Sequence, residues 1–181
     1  MSPIAYSTDR TFVAGETETA AIFNTYLRDN MKWLSTDAPC VLAYNNANIS
    51  HSVSATYRAV TLNSERFDNA TLHSTSSNTE RITIPSGSDG KYIFGGEIGW
   101  ASNATGIRVV VIALNGIATF LVGQYTIALT ANAFGHSCSS MYSLAAADYI
   151  NMCGFQNSGG ALNMTVATNE APVFWAYWAR V

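Results

Sequence analysis

Residues able to do chemistry are present in this chain but scattered. His51, His73 and His136 lie in unrelated segments, and none stands at metal-ligand spacing from another His or Cys. They are expected as solvated or singly bonded surface histidines. Ser158 precedes Gly159-Gly160 without the Gly-x-Ser-x-Gly frame of a nucleophile elbow. Glu65 and Asp68 are close together, but a glycosidase needs two carboxylates flanking one cleft, and nothing places another near them. Their expected role is bonding to Arg66 or Arg81 within a loop. Gly95-Gly96 and Gly159-Gly160 do not precede a helix, so no convergent amides cradle a phosphate. These patterns predict no catalytic site, metal or cofactor.

Three cysteines remain. Cys138 and Cys153 flank Leu144-Ala145-Ala146-Ala147-Asp148, and a hairpin there would set them nearly opposite one another. A disulfide and a reduced buried pair are both compatible with that arrangement, the reduced pair fitting a cytoplasmic product better. Cys40 has no partner in the pattern. Asn48, Asn69, Asn103 and Asn163 each satisfy the glycosylation triplet, which arises often by chance in an Asn/Ser/Thr-rich chain.

The elements around these residues are mostly short strands. From Cys40 onward, apolar runs alternate with turn clusters, the pattern of an all-β sandwich or barrel. Expected strands are 41–44, 57–62, 81–84, 91–101, 107–114, 120–129, 136–143, 149–155, 161–167 and 173–181. Asn115-Gly116 is a hairpin turn signal. The last strand is apolar on both faces. Val173, Trp175, Tyr177, Ala179 and Val181 share one face, and Phe174, Ala176, Trp178 and Arg180 the other. A strand covered on both sides marks either a subunit contact or the centre of one sandwich.

Ahead of the strands, Ala20–Leu34 is the one convincing helix, with Thr17 or Thr19 as its cap and Pro39 closing the segment. Ile22, Phe23, Tyr26, Leu27, Met31 and Leu34 recur at helical spacing. Such a helix needs a packing partner, because short isolated helices scarcely form. The division is therefore an N-terminal arm and helix over 1–39 and a β domain over 40–181.

Charged residues make up 12% of the chain, about half the usual share, and the formal net charge is −3. No basic stripe favours nucleic acid. No apolar run approaches the roughly 18 residues needed to span a bilayer. No secretory signal is evident at the N-terminus, so synthesis in a cytoplasm is expected. The low charge fits either a surface covered by neighbouring subunits or a neutral Ser/Thr-rich one.

Four features in combination resemble the jelly roll of the complement globular head and its tumour-necrosis-factor relatives. They are Gly90-Lys91-Tyr92-Ile93-Phe94, the Leu114-Asn115-Gly116 corner, Leu144-x-x-x-Asp148-Tyr149-Ile150, and the aromatic final strand. Ala147 stands where that family usually has glycine. The N-terminal piece from Phe12 to Asn30 resembles the opening of small structural proteins in tailed bacteriophages. So do Ser64–Asp68, Trp100–Arg108 and Gln156–Leu162. The resemblance implies a non-enzymatic virion protein that forms homotrimers, assembled in a bacterial cytoplasm, as a capsid decoration or fibre-base component ahead of a tail or baseplate one. It implies a trimer contact at Trp175, Tyr177 and Trp178, with Tyr92 and Trp100. Docking to other virion proteins would use Phe12, Ile22, Phe23, Tyr26, Leu27, Met31 and Leu34. Related jelly rolls sometimes bind calcium, for which Asp89 and Asp148 are the candidates, although no run of spaced carboxylates accompanies them. The alternative is a receptor- or glycan-binding adhesin using loop residues Asn103, Asn132, Asn157 and Asn169 with an exposed aromatic.

Overall fold

Twelve strands make two facing sheets in the computed structural model, which describes residues 7, 10–128, 134–166 and 172–180. Pro3, Leu129, Asn132, Ala167, Asn169 and Val181 lie outside the described residues.

Within them the strands are β1 (Cys40–Tyr44), β2 (Ile49–His51), β3 (Thr56–Ala59), β4 (Ser64–Asp68), β5 (Arg81–Thr83) and β6 (Gly90–Trp100). Then come β7 (Ile107–Leu114), β8 (Thr119–Ile127), β9 (Phe134–Leu144), β10 (Tyr149–Gln156), β11 (Leu162–Met164) and β12 (Val173–Arg180). The first sheet runs β2-β11-β6-β12-β1-β4, with β9 also on β6. The second runs β3-β10-β7-β8, with β5 also on β10. The fold is an all-β jelly-roll sandwich preceded by a short helix.

The core lies between the sheets. Tyr92, Phe94, Ile98 and Trp100 from β6 meet Val110 and Ile112 from β7 and Ile150 and Met152 from β10. Asn115 and Gly116 both take positive φ, +53° and +126°, in the β7–β8 turn. A small second cluster of Val109, Val111 and Cys153 is buried on the outer side of the second sheet.

The β9–β10 turn crosses between sheets. β9 pairs with β6, and β10 with β7 and β3. Cys138 and Cys153 therefore sit on different sheets and all three cysteines are free, which corrects the expected hairpin pairing. β2 and β4 were not anticipated from the sequence. β4 is held by pairing to β1 although Ser64-Glu65-Arg66-Phe67-Asp68 is mostly polar.

The helix, α1, covers residues 20–37 and alternates α and π turns. Thr19 caps it by accepting from the Ile22 amide. Trp33 is its one buried residue, 5% exposed, with its ring edge-on to Trp178 at 4.4 Å. No helix among the described residues is long and apolar enough to cross a membrane.

Candidate functional site

The outer face of the first sheet carries a contiguous set of exposed apolar side chains. Strand pleat sends alternate residues of β12 to opposite sides. Phe174, Ala176 and Trp178 enter the core, while Trp175 and Tyr177 point outward. Register places their neighbours. Leu42 lies opposite both Trp175 and Phe67, and Tyr177 lies between Cys40 and Ile93. Met141 follows on β9, opposite Ile93. Two apolar rows thus cross the sheet, Phe67–Leu42–Trp175 and Cys40–Tyr177–Ile93–Met141. Tyr177 is 50% exposed and Met141 58%, and Phe67 and Ile93 are exposed as well.

Gly95 shapes this face. A Cβ there would lie 2.6 Å from Trp175 Cζ2 and 2.9 Å from Ser139 Cβ. Glycine lets the indole lie flat across β6 toward β9. Cys40, Leu42, Phe67, Trp175 and Tyr177 line an apolar groove on one side of the indole. On its other side Glu97, Ser137 and Ser139 line a more polar hollow. Partial burial, followed by the nearby Asp68 carboxylate, pushes the Cys40 thiol above its ordinary pKa.

The expected contact set therefore divides. Trp175 and Tyr177 are on the outer face. Tyr92, Trp100 and Trp178 are corrected: all three are buried inside a single chain. Tyr92 donates its hydroxyl to Ser88 O at 2.6 Å, and burial raises its phenol pKa. Trp100 is wholly enclosed and sits 5.8 Å from the His51 ring. Trp178 packs on Trp33. Leu42, Phe67, Ile93 and Met141 were missed. The signal for Met141 was present, as the lone large apolar residue in the alternating Ser137, Ser139, Met141, Ser143 set. Phe67 had none, because β4 did not read as a strand.

The helix stripe also divides. Phe23, Leu27, Met31 and Leu34 are exposed, as is Phe12 in the arm. Ile22 and Tyr26 are half-buried on the other side. The Arg10 guanidinium lies 5.3 Å from the Phe12 ring and 5.4 Å from that of Tyr26. Asn30 exchanges hydrogen bonds with the backbone of Ser7 at 2.9 and 3.2 Å. Ile22 and Tyr26 thus belong to the helix side that carries the arm and Trp33, not to the exposed stripe.

His51, His73, Glu65, Asp68 and Asp148 have structural partners, and none of the three histidines is exposed. His51 Nε2 reaches Gly154 O at 3.2 Å. His73 Nδ1 meets Glu65 Oε1 at 2.8 Å and its Nε2 meets Thr79 O at 3.1 Å. His136 is buried, and burial, with the Arg108 charge adding, drops its pKa to about 4. Asp68 accepts from the amides of Ala70, Leu72 and His73, so Glu65 and Asp68 bond within their loop to His73 and backbone rather than to arginine. Arg66 instead lies over Tyr44, and Arg81 over Tyr149. Asp148 accepts from Asn115 Nδ2 and the Ala145 amide, both at 2.8 Å. Among the described residues no three His, Cys, Asp or Glu groups converge on a metal position. The adhesin loop residues are engaged too, Asn103 by the Thr105 amide and Asn157 by that of Ile107.

The two-sheet antiparallel sandwich is a jelly roll, and its fold is similar to that of complement and tumour-necrosis-factor-like domains. Solved structures agree. The globular domain of zebrafish complement 1qA is similar at 14% identity, covering 78% of this chain and 98% of that one, with a TM-score of 0.55. Murine APRIL matches at 8% identity over 77% of this chain and 98% of its own, TM-score 0.57. Eiger TNF from S. frugiperda matches at 9% identity over 80% and 95%, TM-score 0.58. At such identities the likeness is one of fold. No family model matches the sequence, and no curated protein matches it.

Proposed function

We propose that this chain is a non-enzymatic structural protein that assembles as a homotrimer through the outer face of its first sheet. The observation that carries this reading is the pair of apolar rows across that face, centred on Trp175 and Tyr177. Contiguous exposed apolar surface on this scale marks an interaction site. Closed symmetry is the usual way a chain covers such a face with copies of itself. Threefold symmetry is what the resemblance to the complement and tumour-necrosis-factor jelly rolls implies.

The finer reading is a tailed-phage particle component, a capsid decoration or fibre-base protein ahead of a tail or baseplate one. Its support is the resemblance of residues 12–30, 64–68, 100–108 and 156–162 to phage structural proteins. Attachment to other virion proteins uses the exposed stripe Phe12, Phe23, Leu27, Met31 and Leu34.

Native mass measurement tests the assembly. The wild type is expected at three times the chain mass, and Tyr177→Asp combined with Met141→Asp at one. A monodisperse wild-type monomer overturns the reading. Gold labelling of virions tests the location, and absence from purified particles removes the phage role.

A further inference from the structure

The opposite side of the molecule carries a second aromatic surface. On the outer face of the second sheet, register aligns Tyr57, Phe155, Val109 and Tyr125 across β3, β10, β7 and β8. Tyr57 is fixed between neighbours. Its ring centroid is 4.8 Å from that of Phe120 and 5.0 Å from that of Phe155. Its hydroxyl lies 3.2 Å from the Tyr125 hydroxyl. Val109, Val111 and Cys153 are buried beneath. Phe120 remains 42% exposed and Tyr125 64%. The result is a rigid ring platform with two phenol hydroxyls on it, and neither β8 nor β10 contains a charged residue.

A second, independent observation lies on the same face. Asn151 is two residues before Cys153 on β10 and therefore on the same side. It is only 4% exposed, and its Oδ1 has no hydrogen-bond partner among the described residues, although its Nδ2 donates to Glu80 O at 3.0 Å. Arg81, directly opposite in register, has a buried Nε that is also unpartnered. Ala113 is its neighbour on the other side, and Phe120 follows. A buried orphan acceptor and donor side by side call for a polar partner.

We propose that this face is a binding site for a neutral saccharide. A sugar ring has an apolar C–H face that stacks on Phe120 and Tyr125, and hydroxyls that both donate and accept. Those hydroxyls bond the tyrosine pair, and they reach Asn151 Oδ1 and Arg81 Nε, both enclosed in the free chain, once the Arg81 guanidinium moves off the Tyr149 ring. An apolar surface with a few convergent polar groups is the usual make-up of a small-ligand site. Size favours a saccharide over a protein. The two exposed rings offer on the order of 200 Å², whereas a stable protein contact needs about 800 Å² per partner. The site does not rest on the trimer reading, because it lies on the other sheet.

A glycan array bearing neutral hexose and N-acetylhexosamine oligosaccharides beside sialylated and sulfated ones, probed with the full chain, tests it. Binding to a subset of the neutral glycans is expected. Phe120→Ala with Tyr125→Ala should weaken that binding at least tenfold, and so should Asn151→Ala. Native mass of the Phe120/Tyr125 variant should stay at the wild-type value and its unfolding should stay cooperative, at a midpoint lowered by the lost packing on Tyr57, which separates loss of this site from loss of assembly or fold. No binding to any neutral glycan overturns the proposal. So does binding that the substitutions leave unchanged, binding confined to acidic glycans, or a protein partner whose contact maps to this face in place of sugar.

Discussion

Replacing Trp33 with alanine should release the helix while leaving the sandwich folded. Residues 20–37 bury one side chain, Trp33, against the body. A helix of this length is marginal alone, so its order comes from that contact. An indole buries about 150–250 Å², which at about 25 cal/mol per Å² corresponds to roughly 4–6 kcal/mol as an upper bound. The edge-on contact with Trp178 adds about 1 kcal/mol. Ordering the chain offsets part of this, leaving a net loss of about 3 kcal/mol for Trp33→Ala. A further tether, Asn69 Nδ2 to Thr36 O at 2.9 Å, is exposed and worth about 1 kcal/mol. A loss of about 3 kcal/mol raises the detached population roughly 100-fold, since about 1.4 kcal/mol is tenfold. Amide exchange across residues 20–37 should accelerate by that factor, and trypsin should cut at Arg28 and Lys32 before it cuts the sandwich. Amides of β6 and β7 should keep their protection. If residues 20–37 exchange at wild-type rates in the variant, the single-anchor account of the helix is wrong.

Ala147→Gly should stabilise the chain by about 0.5–1 kcal/mol, read as a higher urea midpoint, because Ala147 sits at φ +71°, where a side chain is strained and glycine is not. Acidification should destabilise it through His136, whose pKa falls from an ordinary 6.5 to about 4 in the folded chain. Between those values the unfolded chain takes up a proton that the folded chain refuses, so stability present above pH 6.5 is lost as pH falls toward 4. The loss reaches about 3 kcal/mol, and urea midpoints for His136→Gln should flatten across the same window.

Local chemistry in the sequence accounts for some elements fully. β7 runs from Ile107 to Leu114 as expected, because a continuous apolar run meets Asn115-Gly116, a pair suited to two consecutive positive φ values. Ala147, standing where the jelly rolls that the sequence resembles usually carry glycine, was visible too, and it takes a positive φ of +71°. Other features depend on tertiary pairing that no local window contains. β4 exists because β1 offers it an edge, and so Phe67 joins the apolar face. The turn after Leu144 reads as a hairpin but carries the chain from one sheet to the other, which separates Cys138 from Cys153. The histidines read as surface residues, yet each is buried, because loops and neighbouring strands close over them.

The phase of β12 was the open point of the sequence, and two small facts settle it. Trp33 takes the edge of Trp178, which fixes the even-numbered residues Phe174, Ala176 and Trp178 inward. Gly95 leaves room outside for the flat indole of Trp175, which fixes the odd-numbered ones outward. β12 therefore joins three surfaces: the core, the helix anchor and the apolar face. The joint is tight, since the Trp178 amide donates to Pro39 O at 2.9 Å between the helix and β1. Tyr177 and Trp178 are adjacent in sequence but opposite in role. A charge at Tyr177 should break assembly and leave the helix seated, whereas truncating Trp178 should loosen the helix and leave the outer face intact. That separation distinguishes a strand shared by two interfaces from one that is merely central to a sandwich.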